Sequence, residues 1–353
     1  MLSPSPLVRA SGIHRRHFTQ VLLGGALGAS VVMAQSPGDL PKLTLLTNDS
    51  SALTHLPVLL AEHLGFFKAE GLSVDILDQA SSAMSVESLS GGGLLAWSAP
   101  FDHVLAMPRH PGSWVSIMQT GRTPQLALGV NRKTPAFFKR MPDLAGRLVG
   151  VFELDSHARR CVDYAMVLAG GRPASVNFVA LGGAPAAALA LRNGSVDALC
   201  APDPLMTLLE KKADIEVVRN WRAIKDSQRL FAGAMPGNCL IVSQAMLTQH
   251  PKICQALVFG VARAIKWLRT AGPTDLLRHM LDNPMFVDRA IYLNAVDNMR
   301  ESFATDGVMS NDAAQTALRL RNVLEPQFKS ARRELAPPYT NEFAMRAKKR
   351  FSL

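Results

Sequence analysis

Ala61-Glu62-His63-Leu64-Gly65-Phe66-Phe67-Lys68-Ala69-Glu70-Gly71-Leu72-Ser73-Val74 changes its hydrophobic period part-way along. Leading into it, Leu56, Leu59, Leu60, Leu64 and Phe67 recur at helical spacing, which predicts a helix over 56–67 ended near Gly71. From 72 to 77 the pattern alternates, as a strand does. Upstream, Leu43-Thr44-Leu45-Leu46-Thr47 reads as a buried strand that runs into a polar turn, Asn48-Asp49-Ser50-Ser51. Strand, polar turn, helix, glycine and strand make a βαβ unit, and such units build mainly parallel sheets.

The same cadence continues outward. Ala80-Ser81-Ser82 opens a predicted helix through Val86 and Leu89, and strands are expected at 94–97 and 114–118. A second set follows, with strands at 148–152, 176–181, 198–201 and 215–218 alternating with helices at 156–169, 185–192 and 204–212. Residues 125–130 and 239–242 read as extended links between the sets. Beyond Gln244 the chain turns helical, at 251–270, 284–299 and 311–324, with no new strand; these helices are expected to return to the first set. Two α/β sets in succession predict two lobes, each a mainly parallel sheet flanked by helices.

Composition narrows the classes. The 353 residues are 48% hydrophobic and 19% charged, too apolar for a disordered chain. No apolar run reaches the roughly 20 residues of a membrane span, so a multi-span membrane protein is excluded. The net charge of +10 is concentrated at the ends: Arg9, Arg15 and Arg16 lie in 1–34 without an acid, and nine Lys/Arg after residue 318 face only Glu325, Glu334 and Glu342. With no helix-turn-helix or Gly-aromatic pattern beside them, these charges do not point to nucleic acid.

His14-Arg15-Arg16-His17-Phe18 precedes an apolar, Gly-softened run that closes with Val32-Met33-Ala34. It resembles a twin-arginine export signal, with a Sec signal as the alternative, so residues 1–34 are expected to be removed and the mature protein to be periplasmic. Cys161, Cys200, Cys239 and Cys254 are widely spaced in apolar surroundings, without CxxC or metal-ligand spacing. Buried free thiols are expected, one disulfide being the alternative. No metal and no cofactor is expected.

The quoted stretch resembles a signature of the nitrate/sulfonate/taurine family of ABC-transporter substrate-binding proteins, a group that includes binders of thiamine pyrimidine precursors. Three further stretches agree in order: Asp143-Leu144-Ala145-Gly146-Arg147-Leu148-Val149-Gly150-Val151, Asn193-Gly194-Ser195-Val196-Asp197-Ala198, and Ala201-Pro202-Asp203-Pro204. The resemblance covers roughly residues 40 to 270. It implies a two-lobed periplasmic binding fold crossed twice at a hinge: 39–123 with 240–330 as one lobe, 124–239 as the other, and 331–353 as a basic tail. It also implies a small-molecule ligand, an ABC permease of the inner membrane as partner, and a monomer.

Ligands of open α/β sheets sit beyond the carboxyl ends of strands, where loops feed helix N-termini. That rule selects the candidates. Thr47, Asn48, Asp49 and Ser50 follow the first strand, Ser81 and Ser82 open the second helix, and Ser98 and Phe101 end the third strand. Arg122 is a strand-end base of the first set. In the second set Asp155, Ser156 and His157 begin a helix, Asp203 precedes Pro204, and Met235 lies in the glycine-bounded stretch 233–237 at the second crossing. Each also has a plain structural reading, as a cap, a core residue or a hinge. Acids outnumber bases at these strand ends, so a zwitterion or polar heterocycle stands beside a plain anion as ligand. No nucleophile elbow, P-loop or His-Glu-x-x-His stretch is present, and the pyrimidine-forming enzyme of the same fold carries a dense cysteine cluster that is missing here. The expectation is a binder without chemistry of its own, with a receptor-docking sensor as a further alternative.

Overall fold

The computed structural model describes residues 40–78, 93–106, 114–134, 138–280, 288–326 and 338–353. The expected export signal at 1–34, the helix opened by Ser81 and Ser82, and residues 331–337 of the basic tail lie outside the described residues.

The opening unit forms as β1 (Lys42–Thr47), a helix Leu56–His63, a short helix Phe66–Ala69 and β2 (Ser73–Asp78). The predicted single helix is two, because Gly65 sits between them at φ 69°, a left-handed conformation that favours glycine. That break turns Phe67 into the core, against Gly260 of the long helix Pro251–Thr270. A Cβ on Gly260 would stand 2.4 Å from the Phe67 ring, so only glycine lets the helices meet there.

The remaining strands are β3 (Leu94–Pro100), β4 (Trp114–Gln119), β5 (Leu126–Asn131), β6 (Leu148–Val151), β7 (Asn177–Ala180), β8 (Ala198–Pro202), β9 (Ile215–Asn220) and β10 (Asn238–Ser243). They form two five-stranded sheets, ordered β2-β1-β3-β10-β4 and β7-β6-β8-β5-β9. The two orders are the same when each sheet is counted from its own first βαβ strand. In each, four strands run in one direction and one antiparallel strand, β10 or β5, is inserted before the last. Each sheet is flanked by helices, so the fold is the two-lobed α/β architecture.

The segments expected as extended links are these two inserted strands. Leu126–Asn131 and Asn238–Ser243 are buried almost throughout, and a strand covered on both faces shows no alternation by which to recognise it. The long helix Pro251–Thr270 lies against the helices of the opening unit. The helix Asn311–Leu324 instead touches both Phe101–Ala106 after β3 and His157–Leu168 after β6. It therefore closes a core that runs through both halves, from Trp97 and Phe101 to Cys161 and Tyr164. At the C-terminus the helix Glu342–Phe351 buries Phe343, Ala344 and Ala347 against Pro251–Thr270, and Arg350 reaches Glu70 of the opening unit at 2.8 Å. Among the described residues no helix is long and apolar enough to cross a membrane.

Candidate functional site

A cavity of about 550 Å³ lies where the loops after β1, β2 and β3 face the loops after β6, β7 and β8. On the first side stand Asn48, Asp49, His55, Asp78, His103 and Asn238. Asp49 closes a turn on itself, its Oδ1 accepting from the Ser51 N–H at 2.9 Å. Burial raises its carboxyl pKa, opposed by those Ser51 hydrogen bonds. Asn48 Oδ1 accepts from Trp97 Nε1 at 3.0 Å. Asp78 ends β2 and collects three donors: the Thr47 hydroxyl, the Ser50 N–H at 2.7 Å and the Ser50 hydroxyl at 2.5 Å. Thr47 and Ser50 thus hold a carboxylate in the wall without lining the cavity themselves. His55 is buried, and burial pushes its pKa down to about 4 although the Asp78 charge works the other way.

The second side is made of helix starts. Ser156 caps His157–Leu168, its Oγ accepting from the Arg159 N–H at 3.3 Å. Asp155, the residue before it, is exposed and pairs with Arg160 at 2.5 Å. His157 is buried, with Nδ1 3.1 Å from Asp102 and Nε2 3.7 Å from the Cys161 sulfur. Burial opposes its protonation, but the facing sulfur and the Asp102 carboxylate outweigh that and raise its pKa. Asp102 also meets Arg160 Nε at 2.5 Å. Burial works against its charge, yet Arg160 and His157 hold its carboxyl well below the usual carboxylate range. Gly182 and Gly183, both at positive φ, bring bare backbone to the wall just before the helix Ala184–Arg192.

Of the sequence candidates, Asn48, Asp49, Asp155, Ser156 and His157 come together around this cavity. Ser98 stands behind it, 2.9 Å from His55 Nδ1. The others do not line it. Phe101 and Met235 are core residues at 0% and 1% exposure. Arg122 donates to the Glu301 carbonyl at 2.8 Å, in a different surface depression. Asp203 is fully buried behind Pro202, where it caps the helix Leu205–Lys211 through the Thr207 N–H and pairs with Arg222 at 2.9 Å. Ser81 and Ser82 lie outside the described residues. Sequence reasoning missed His55, Asp78, His103 and Asn238. Asp78 carried the available signal, since the strand-end rule applies to β2 as it does to β1.

All four cysteines are buried and free, and burial raises their thiols, Cys239 to about 12 and Cys254 to about 11. Among the described residues no group of three His, Cys, Asp or Glu could hold a metal ion.

The NMT1/THI5-like family matches residues 52–272, more than half of the chain and every strand from β2 to β10. This chain belongs to that family. A protein of solved structure from Bordetella bronchiseptica RB50 is similar at 31% identity, with a TM-score of 0.81 over 88% of this chain and 98% of the other. The alkanesulfonate-binding protein SsuA from Xanthomonas axonopodis pv. citri, bound to MOPS, shares the fold at 15% identity, with a TM-score of 0.63 over 85% of this chain and 98% of its own. The desulfurization enzyme DszB shares it at 17% identity, with a TM-score of 0.54 over 87% and 99%. At these identities the last two likenesses are of fold alone. No curated protein matches the sequence. Within its family, then, this NMT1/THI5-like chain is read from its own cleft.

Proposed function

We propose that this NMT1/THI5-like protein is the solute-binding component of an ABC-type importer, holding a small polar molecule between its two halves without turning it over. The observation that carries the reading is the cleft itself: a cavity of about 550 Å³ between the strand ends of two sheets of like topology, walled by polar side chains and helix starts. Residues 39–123 with 240–330 would act as one lobe and 124–239 as the other, closing on the ligand. Export by the twin-arginine-like leader, a periplasmic location, a monomeric state and delivery to an inner-membrane permease belong to the same proposal.

Within the ligand range expected from sequence (sulfonate, taurine, nitrate or a pyrimidine precursor), the wall favours molecules that bring N–H donors. Asp49, Asp78 and Glu153 line it, Asp155 beside them is already paired with Arg160, and the described residues of the lining include no Lys or Arg. A bare anion such as nitrate would meet those carboxylates, whereas an amine-bearing zwitterion such as taurine, or an aminopyrimidine, could pair with them. The test is a thermal-shift screen of nitrate, ethanesulfonate, taurine and aminopyrimidines. Amine-bearing ligands are expected to raise Tm in a concentration-dependent way while nitrate and ethanesulfonate do not. Stabilisation by nitrate alone would reverse the ligand assignment. Turnover of a ligand would end the binder reading.

A further inference from the structure

We infer that His55 is a specificity-determining residue of this cleft, a fixed, uncharged Nε2–H donor that selects ligands presenting a hydrogen-bond acceptor; the inference rests on the cleft being the binding site. The ring is 97% buried by its 3% exposure, yet it forms part of the cavity wall. Its Nδ1 lies 3.2 Å from Asn238 Nδ2 and 2.9 Å from Ser98 Oγ. The orientation of the Asn238 amide is decided elsewhere, because Nδ2 also donates to the Thr54 carbonyl at 3.3 Å, and a carbonyl can only accept. An amide turned the other way would set two oxygens against each other. So the group facing Nδ1 is an N–H, and Nδ1 must offer its lone pair. The Ser98 hydroxyl rotates to suit.

Burial keeps this imidazole neutral through the ordinary pH range. A neutral imidazole carries one proton, and with Nδ1 bare that proton sits on Nε2. Nε2 has no partner among the described residues, while the ring borders the cavity. Nε2–H therefore faces the cavity rather than the core, and a ligand that presents an acceptor there replaces water with a hydrogen bond of fixed direction. Asp49 and Asp78 accept on the same wall, so the matching ligand edge pairs one acceptor with neighbouring donors. A cation with donors alone satisfies the carboxylates and leaves His55 unanswered.

Two probes separate these cases: benzamide, which has a carbonyl acceptor beside an amide donor, and benzylamine, which has donors only. In ¹⁵N-labelled full-length protein at pH 7, two-bond ¹H–¹⁵N correlation is expected to show His55 protonated at Nε2 and bare at Nδ1. Benzamide titration is expected to move the Nε2–H signal. Its affinity should fall about ten-fold in His55→Phe and stay within about two-fold in His55→Gln, which keeps an N–H donor. Benzylamine affinity should be indifferent to both substitutions. A protonated Nδ1 overturns the inference, as does benzamide affinity unchanged in His55→Phe, or benzamide that leaves the His55 signals unmoved. Should His55→Phe not fold, the wild-type spectrum with and without benzamide decides alone. An Nε2–H tautomer in a protein that no compound of the wider screen stabilises would overturn the binding function and leave the tautomer standing.

Discussion

Two acids that stand where the halves of the molecule touch, Asp102 and Asp203, follow equivalent strands, β3 and β8. Both are buried, at 2% and 0% exposure. At Asp203 the crossing is neutral. The Leu53 N–H donates to the Asp203 carbonyl at 2.8 Å and Asn298 Nδ2 to Thr207 Oγ at 2.8 Å, while the carboxylate finds its cation, Arg222, inside its own half. At Asp102 charge itself crosses, to Arg160 and His157 on the helix after β6. An ion pair within one half is made as that half folds. A pair between halves exists only in this relative arrangement, so its energy would be lost in any other.

The largest expected effect tests the internal pair. Arg222→Leu leaves Asp203 buried and uncompensated and should cost about 3–5 kcal/mol by urea unfolding. A loss below about 1 kcal/mol would mean that the Arg222–Asp203 contact contributes no more than a neutral one. The next effect sharpens the comparison by pH. His55 lies two residues beyond Leu53, on the neutral crossing, with a folded pKa of about 4 against 6.5 for the free side chain. Its contribution, up to about 3 kcal/mol, is present above pH 6.5 and lost as pH falls towards 4, because only the unfolded chain takes up that proton. His157, with its raised pKa, behaves in the opposite sense. Its contribution is complete below pH 6.5 and fades as pH rises through the folded value, so it does not offset the acid loss. His55→Gln should therefore flatten the stability profile between pH 6.5 and 4, and an unchanged slope would move the acid sensitivity elsewhere.

Asp102→Asn breaks the ionic crossing. Arg160 keeps its outward pair with Asp155, so the cost is expected to be smaller, about 2 kcal/mol. The signature should be a larger small-angle scattering radius for the ligand-free protein; an unchanged radius would erase the distinction between the crossings. The smallest effect is the control. Thr207→Val removes the hydroxyl that accepts from both Asn298 and Arg222, and should cost about 1 kcal/mol with no change in radius.

Much of the fold was legible because βαβ units are written locally: Leu43 to Val74 spells strand, turn, helix and strand within some thirty residues. The inserted strands were not, since Asn238–Ser243 acquires its role from β3 and β4, more than a hundred residues earlier. The same divide runs through the site. Asn48, Asp49, Ser156 and His157 follow from strand ends and helix starts. Asn238 depends on β10 standing in the middle of the first sheet, and His55 reads by pattern as nothing more than the residue before a helix. Asp203 looked like a ligand acid because its counter-ion, Arg222, is nineteen positions on and brought close only by β9.

The strand order also dictates a timetable. The second sheet uses one unbroken run of sequence, Leu126 to Asn220, and all its partners are present once that run has been synthesised. The first sheet is left with β3 and β4 apart until Ser243 has emerged, because β10 must slide between them. A nascent chain of intermediate length therefore carries a finished middle and a gaping beginning, with two bare strand edges open to wrong partners, and its most vulnerable moment ends only when residues 238–243 are delivered.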